Sequence, residues 1–237
     1  MEQVKQNFRE RCREIERYLK TLRFIEERGS EIISRNQKFK YKIDLTTQHV
    51  LKASVFLHLY NLIESTITSC LARVAERINE LSLTYLDLTK EWQSAWLREQ
   101  GKTNAALNPE KRLNLMLDVC EDVAKKVSID FRPSLASGNL DDDRIEKIAK
   151  RHGVEIKLSS TIMKPVKVAV VNDDGPLRVI RKRRNLLAHG FSSFSDCGKS
   201  VSVNDLRRWR ITVIRYLCGV IRCFDNYLKS HSFRKTA

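Results

Sequence analysis

Apolar residues recur at steps of three and four along the first segment, residues 2–28, opposite a charged face. This spacing is typical of an amphipathic helix, and Gly29 is placed to end it. The apolar positions are Val4, Phe8, Cys12, Ile15, Leu19 and Leu22. The pattern predicts an N-terminal helix with one face on a core, followed by a polar connector over residues 30–43.

The most apolar stretch of the chain starts after this connector and runs towards Leu81. Asp44, Thr46 or Thr47 is placed to cap its first turn, because short polar side chains accept hydrogen bonds from unpaired helical N–H groups. A helix that is apolar nearly all round is buried on several sides. We therefore expect the central helix of a bundle here, with His58 as one of its core residues.

The patterns in the middle of the chain are weaker. Residues 85–99 predict a short helix, and Asn108 precedes a firmer one that opens with a proline, which is tolerated at the first helical position. Its expected buried stripe is Leu113, Leu117, Cys120, Ala124 and Val127. Residues 128–174 are the least regular. There Asp141 is placed to cap a short helix, and the β-branched residues in 164–171 favour a short strand.

Two further helices are predicted at the end of the chain. The first follows a turn at 172–175, reads PLRVIRKRRNLLAH and ends at Gly190. A loop over 191–200 then leads to a capping-box pattern of Ser202 and Asp205. The last helix carries Leu206, Trp209, Val213, Leu217, Val220, Phe224 and Leu228 on one face, and Arg208, Arg215 and Arg222 on another.

These elements predict an all-α, antiparallel helical bundle with a short irregular or β-containing insertion around residues 154–175. The sequence contains neither an internal repeat nor a second segment of domain size. We expect one domain over residues 1–237. Its parts are the N-terminal helix 2–28, the bundle core 44–127, the irregular insert 128–175, and the motif helix and C-terminal helix over 176–230.

The composition agrees with a helical protein, because only 8 of the 237 residues are Gly and 4 are Pro. None of the six cysteines forms a CxxC pair, so neither a zinc site nor any other cofactor is expected. We predict buried, reduced thiols of a cytoplasmic protein at Cys12, Cys70, Cys120 and Cys218. The charged N-terminus lacks the apolar core of a signal peptide, and no apolar run reaches the roughly 18 residues that span a membrane.

The formal net charge of +15 indicates an anionic partner, because a self-repelling surface disfavours the compact state. From Pro176 to Ala237, fourteen Lys and Arg residues stand against three Asp residues, which gives this segment a charge of +11. Phosphates of nucleic acid or of a membrane surface suit such a segment. We favour nucleic acid, and an inert basic surface is the alternative.

One cation occupies an unexpected position in the helix that begins at residue 176. Leu177, Ile180, Arg184 and Leu187 share a face, so Arg184 lies where the pattern predicts a leucine. A charge there needs a partner or a phosphate, because desolvating it unpaired is costly. His189 follows at the helix end, about 140° further around the axis. Loosening of the helix end, or a second copy of the chain, would bring both side chains to one substrate.

Arg184 and His189 together suit the cleavage of RNA without a metal ion. A guanidinium binds phosphate bidentately and stabilises transition-state charge, and an imidazole transfers protons near neutral pH. Attack of a ribose 2′-OH on the adjacent phosphate would give a 2′,3′-cyclic phosphate and a 5′-OH. The alternative is structural: an ion pair of Arg184, for instance with Glu64, and a helix-capping role for His189.

Other candidates lie near this pair in the sequence pattern. Glu64 and Asn61 are one turn apart on the central helix, and either orient Arg184 or His189 or belong to a structural ion pair. Four cations just before Arg184 have no acid among them, and we expect them to bind RNA phosphates unless they form only a solvated face. They are Arg178, Arg181, Lys182 and Arg183. The tryptophans Trp92, Trp96 and Trp209 are expected to pack in the core or at an interface rather than to stack on bases.

The segment RNLLAHG (184–190) resembles the Arg-polar-x-x-x-His motif of the HEPN superfamily of ribonucleases, with Asn185 as the polar residue. Three ordered segments, LYNLIESTI (59–67), residues 137–154 and LAHGFSSFSD (187–196), resemble one bacterial HEPN subfamily found among defence and toxin-like genes. The resemblance covers most of the chain from about residue 44 onward.

This resemblance implies an all-α bundle that dimerises with its motif helices facing each other. It implies that Arg184 and His189 are catalytic, that Asn185 assists them, and that no metal takes part. The expected function is a metal-independent endoribonuclease that acts as a toxin or antiviral defence effector. A non-catalytic module that binds nucleic acid or an antitoxin is the alternative. The expected partners are RNA, a second copy of the chain, and an antitoxin or companion defence protein.

Overall fold

The computed structural model describes residues 1–28, 31–33, 39–103, 108–130 and 139–235. The helices are α1 (Glu2–Arg28), α2 (Leu45–Glu80), α3 (Lys90–Thr103), α4 (Pro109–Ala124), α5 (Asp142–Arg151), α6 (Ser160–Lys167), α7 (Pro176–Ala188), α8 (Phe194–Lys199) and α9 (Val203–Lys229). A 3-10 turn covers Tyr85–Asp87, and strands β1 (Glu31–Ile33) and β2 (Lys40–Lys42) form an antiparallel pair. The predicted all-α class is confirmed. The predicted helix end at Gly29 lies outside the described residues.

The long helix α2 is the centre of the fold, as its apolar sequence predicts. It contacts α1, α7, α8 and α9, and its middle positions are buried on several sides. Asp44 caps it by accepting a hydrogen bond from the Thr47 backbone N–H at 2.7 Å. His58 was expected in the core, but it is exposed, with its ring 4.9 Å from that of Tyr18. It lies where the buried face of α2 turns towards solvent.

Helices α1 and α9 lie antiparallel to each other beside α2, and two ion pairs fix their register. Lys5 pairs with Asp225 at 2.9 Å, and Arg210 pairs with Glu16 at 2.6 Å. The predicted apolar face of α1 is buried except for the partly exposed Cys12. All three tryptophans are in the core, as predicted.

The first turn of α9 is fixed by the predicted capping box. The Ser202 hydroxyl accepts a hydrogen bond from the Asp205 backbone N–H, and the Asp205 carboxylate accepts one from the Ser202 backbone N–H. The predicted cap of α5 at Asp141 is also present, and α4 begins at the predicted proline, with Asn108 as its cap. Short polar residues before an apolar repeat therefore located these helix starts correctly.

The predicted buried stripe of α4 is wrong. Leu113 and Leu117 are 57% and 59% exposed, and Cys120, Ala124 and Val127 are also exposed. The helix instead turns Leu115, Val119 and Val123 inward, and Val119 and Val123 pack against the core. Amphipathic spacing alone does not show which of two apolar faces another element covers. The prediction of buried thiols fails for the same reason at Cys120, and also at Cys218 on the outer face of α9.

The predicted strand over residues 164–171 is also wrong. Residues 160–167 form α6, which buries Val166, and the only pairing of residues 168–171 is an isolated bridge between Val171 and Asp174. The packing of α6 on α7 and α9 overrides the β propensity of its valines. The two strands lie instead in the connector, at 31–33 and 40–42. The predicted loop over 191–200 contains α8, which Ser193 caps.

We predict that Gly198→Ala destabilises the protein. Helix α8 lies against the start of α2 so closely that a Cβ atom at Gly198 would be 1.9 Å from the backbone oxygen of His49. Overpacking against backbone costs about 1–3 kcal/mol or more. Urea unfolding should show this loss, whereas Lys199→Ala, at an exposed position of α8, should leave stability within about 0.5 kcal/mol of wild type. Equal stability of both variants would contradict the close packing.

Candidate functional site

Helix α7 contains the Arg-Asn-x-x-x-His segment, and the histidine of this segment is exposed where the helix ends. The helix stops because Gly190 adopts a left-handed conformation, with φ of +70°. The Gly190 N–H donates to the Leu187 carbonyl and the Phe191 N–H to the Leu186 carbonyl, which is the Schellman pattern of helix termination. His189 is therefore the C-cap residue, and its side chain is exposed to solvent.

The charge of Arg184 is held against an aromatic ring. Its guanidinium carbon lies 4.4 Å from the ring centroid of Tyr60, which is buried in the middle of α2. Its Nη1 also donates to the Asn185 side-chain oxygen at 3.0 Å. Within the described parts of the chain, the guanidinium forms no other hydrogen bond. A half-buried cation is thus stabilised by a π face, while its remaining N–H groups can still bind an anion.

Asn185 and Tyr60 both connect this site to the segment before α5. The Asn185 side-chain amide donates to the side-chain oxygen of Asn139, which has a positive φ of 75°. The Leu140 backbone N–H donates to the Tyr60 hydroxyl at 3.2 Å. Sequence reasoning gave no role to Tyr60 or Asn139. The sequence offers a signal for Asn139 alone, because Asn tolerates the left-handed conformation better than most residues do.

The other predicted supporting residues lie on α2 near Tyr60. Glu64 is half-buried, one helical turn after Tyr60. Asn61 is exposed and forms no hydrogen bond through its side chain with the described part of the chain. An orienting role for either residue stays a prediction, since no contact is recorded between them and the side chains of Arg184 or His189.

Carboxylates from two other segments meet three of the four cations expected to bind RNA. Arg178 pairs with Asp143, and Arg181 pairs with Asp141 at 2.7 Å. Lys182 pairs with Asp174, close to the start of α7. The fourth cation, Arg183, donates to the Ser200 hydroxyl at 3.0 Å instead. Phosphate binding by these side chains stays a prediction, and any phosphate would compete with the carboxylates.

The α5–α7 ion pairs affect the titration of one carboxyl group. The pKa of Asp143 is lowered from its ordinary value, chiefly by the hydrogen bond from Lys167 and then by the charges of Lys167 and Arg178, although partial burial acts in the opposite direction. Lys167 also pairs with Asp142, so its ammonium group bridges the first turn of α5. These pairs tie α5, α6 and α7 together beside the candidate site.

Comparison with protein families identifies the chain. The family model of the MAE_28990-like HEPN family matches residues 1–233. The protein belongs to this HEPN family. Comparison with curated proteins and with solved structures gave no significant match.

The described residues of this HEPN protein do not bring three or more His, Cys, Asp or Glu side chains together in a group that could hold a metal ion. Among the same residues, no helix is both long and apolar enough to cross a bilayer.

We predict that Asp143→Asn makes the stability of the HEPN protein less dependent on acidic pH. The lowered pKa means that Asp143 contributes stability above its unfolded-state pKa of about 3.9, and that this contribution is lost as pH falls through the folded-state value. Urea unfolding between about pH 5 and pH 2 should therefore show a smaller loss for the variant than for wild type.

At neutral pH, the same variant should lose about 1 kcal/mol or less, because Asp143 is partly exposed and its ion pairs are screened by solvent. Asp118→Asn, at an exposed position of α4, is the matched control and should follow the wild-type pH profile. A pH profile of Asp143→Asn that coincides with wild type would show that the Lys167 and Arg178 pairs do not contribute.

Proposed function

We propose that this HEPN protein is a metal-independent endoribonuclease. One observation carries the proposal: Arg184 is fixed on the Tyr60 ring with N–H groups unused, five residues before an exposed histidine at the end of the same helix. HEPN families are generally associated with ribonucleases, which supports the same reading. The net charge of +15 favours a polyanionic substrate.

The proposed reaction is an internal transesterification of RNA. A ribose 2′-oxygen forms a bond to the adjacent phosphorus while the bond from phosphorus to the 5′-oxygen breaks. The imidazole of His189 accepts the 2′-OH proton, and the imidazolium so formed donates it to the leaving 5′-oxygen. Arg184 stabilises the charge that develops on the phosphoryl oxygens. The products are a 2′,3′-cyclic phosphate and a 5′-OH, and the reaction needs no water or metal.

Asn185 is a positioning residue in this proposal. Its side-chain oxygen accepts from Arg184 while its amide donates to Asn139, so it fixes the guanidinium relative to the segment before α5. Tyr60 fixes the same group from the α2 side. The arrangement is preorganised, because the cation does not have to move from a carboxylate partner to meet the phosphate.

We further propose that the active form is a homodimer in which the ends of two α7 helices meet. Phe191 is 79% exposed next to His189, with the two ring centroids 5.9 Å apart, and Leu186 is exposed on the last turn of α7. An apolar pair beside a polar site is the pattern expected at an isologous interface. The resemblance to a subfamily found among defence and toxin-like genes supports a role as a toxin or antiviral effector.

We predict that His189→Ala lowers the rate of RNA cleavage by about 100-fold or more, because a general acid–base group contributes on that order. Gel assays with labelled structured RNA, with and without EDTA, should show cleavage by wild type in both conditions. The fragments should carry 2′,3′-cyclic phosphate ends. Arg184→Lys should also impair cleavage, because an ammonium cannot bind phosphate bidentately.

The matched control is His231→Ala, which removes another exposed histidine just beyond a helix end. It should leave the rate unchanged within about twofold. Undiminished cleavage by a folded His189→Ala protein, or complete loss of wild-type cleavage in EDTA, would reject the mechanism.

We predict that Phe191→Asp shifts the protein from dimer to monomer, because it places a charge in the centre of the proposed contact. Light scattering coupled to size exclusion should measure the change in mass at micromolar concentration. Leu113→Asp, on the exposed face of α4, is the control and should leave the mass unchanged. A wild-type protein that is monomeric at all concentrations would contradict the dimer but leave the Arg184–His189 chemistry open to the cleavage assay.

A further inference from the structure

The cations of the C-terminal segment fall into two groups with different partners. Three on α7, Arg178, Arg181 and Lys182, pair with carboxylates at positions 141, 143 and 174, as described above. Those on the outer face of α9 are largely without such partners. Arg215 and Arg222 are exposed and have no carboxylate within 4.0 Å among the described residues, and Arg208 has only Asp205 at 3.5 Å, with its own side chain 75% exposed.

We infer that Arg208, Arg215 and Arg222, here called the arginine stripe, form a binding surface for the phosphate backbone of RNA. They recur every seven residues, so they lie along one face of α9 at intervals of about 10 Å and span roughly 21 Å. Evenly spaced guanidinium groups along a straight helix suit an extended polyanion better than they suit a single small anion.

Helix α1 extends the same surface. Burial raises the pKa of the Cys218 thiol, and the charges of Arg222 on α9 and Arg9 on α1 act in the opposite direction, so both helices carry a guanidinium group near this thiol. The acids between α1 and α9 are already engaged: Glu16 pairs with Arg210, and Asp225 pairs with Lys5. The arginines therefore keep their charge available for an external partner.

The structure favours RNA over a membrane as this partner. A helix that lies on a membrane surface inserts its apolar face between the lipids. The apolar face of α9 is instead buried in the core, by residues that include Leu206, Val213 and Phe224. The arginine stripe can offer charge to an anionic surface, but the exposed large apolar side chain beside it on α9 is Ile211, and one such side chain does not make a second apolar face.

The inference rests on the proposed function only for the choice of RNA as the ligand. The test compares R208Q/R215Q/R222Q with its parent, both in a His189→Ala background so that RNA is not consumed. Fluorescence anisotropy should measure the dissociation constant of a labelled single-stranded RNA at several NaCl concentrations. Each lost phosphate contact lowers the salt slope by about 0.7, so the variant should show a slope smaller by about 2 and an affinity weaker by about tenfold or more.

The control is K40Q/K42Q/K111Q in the same background, which removes three exposed cations from β2 and α4 and changes the net charge equally. It should keep the parental slope. The inference is overturned if the folded stripe variant keeps the parental salt slope for RNA. It is also overturned if the variant binds RNA as its parent does and loses binding only to anionic lipid vesicles. If the wild-type protein cleaves no RNA but the stripe variant still shows a smaller salt slope, the arginine stripe is supported and the nuclease proposal is rejected. If the wild-type protein cleaves RNA but the stripe variant keeps the parental salt slope, the nuclease proposal is supported and the arginine stripe is rejected.

Discussion

The contact between Arg184 and the ring of Tyr60 allows α7 to pack on an apolar helix while it keeps a cation that can bind an anion. Tyr60 belongs to the buried middle of α2, where almost every neighbour is apolar, and Arg184 belongs to a helix rich in cations. An aromatic face satisfies a half-buried cation without neutralising it, whereas a carboxylate would occupy the groups that a phosphate needs. The packing of α7 on α2 is therefore compatible with a guanidinium whose remaining N–H groups can still bind an anion.

The positions of the carboxylates determine which cations form ion pairs within the protein and which stay available to bind an external anion. Asp141, Asp143 and Asp174 use the cations at the start and middle of α7 to connect that helix with α5 and the preceding turn. Arg184 on α7, and Arg215 and Arg222 on the outer face of α9, have no carboxylate partner among the described residues. The net charge indicates only that a partner is negatively charged. Where that partner binds on the surface depends on which cations already have carboxylate partners.

The proposed cleavage site and the proposed arginine stripe are different kinds of surface. The first combines a guanidinium held by Tyr60 and Asn185 with an imidazole at a helix end, and it suits one phosphodiester. The second is an open row along α9 that suits a longer segment of backbone. An enzyme that acts on a polymer gains from both, because contacts away from the reacting bond raise affinity without specifying the chemistry.

Periodicity and capping residues in the sequence determined the helical class, the central position of α2 and the starts of α2, α4, α5 and α9, because these depend on neighbours three or four residues away. The sequence also indicated Arg184 as a cation in an apolar seam. Only the tertiary structure decided that Tyr60 supports this cation, that Asp141 and Asp143 neutralise its neighbours, and which side of α4 faces the core. Those outcomes depend on residues far apart in the chain, and local pattern carries no information about which distant surfaces meet.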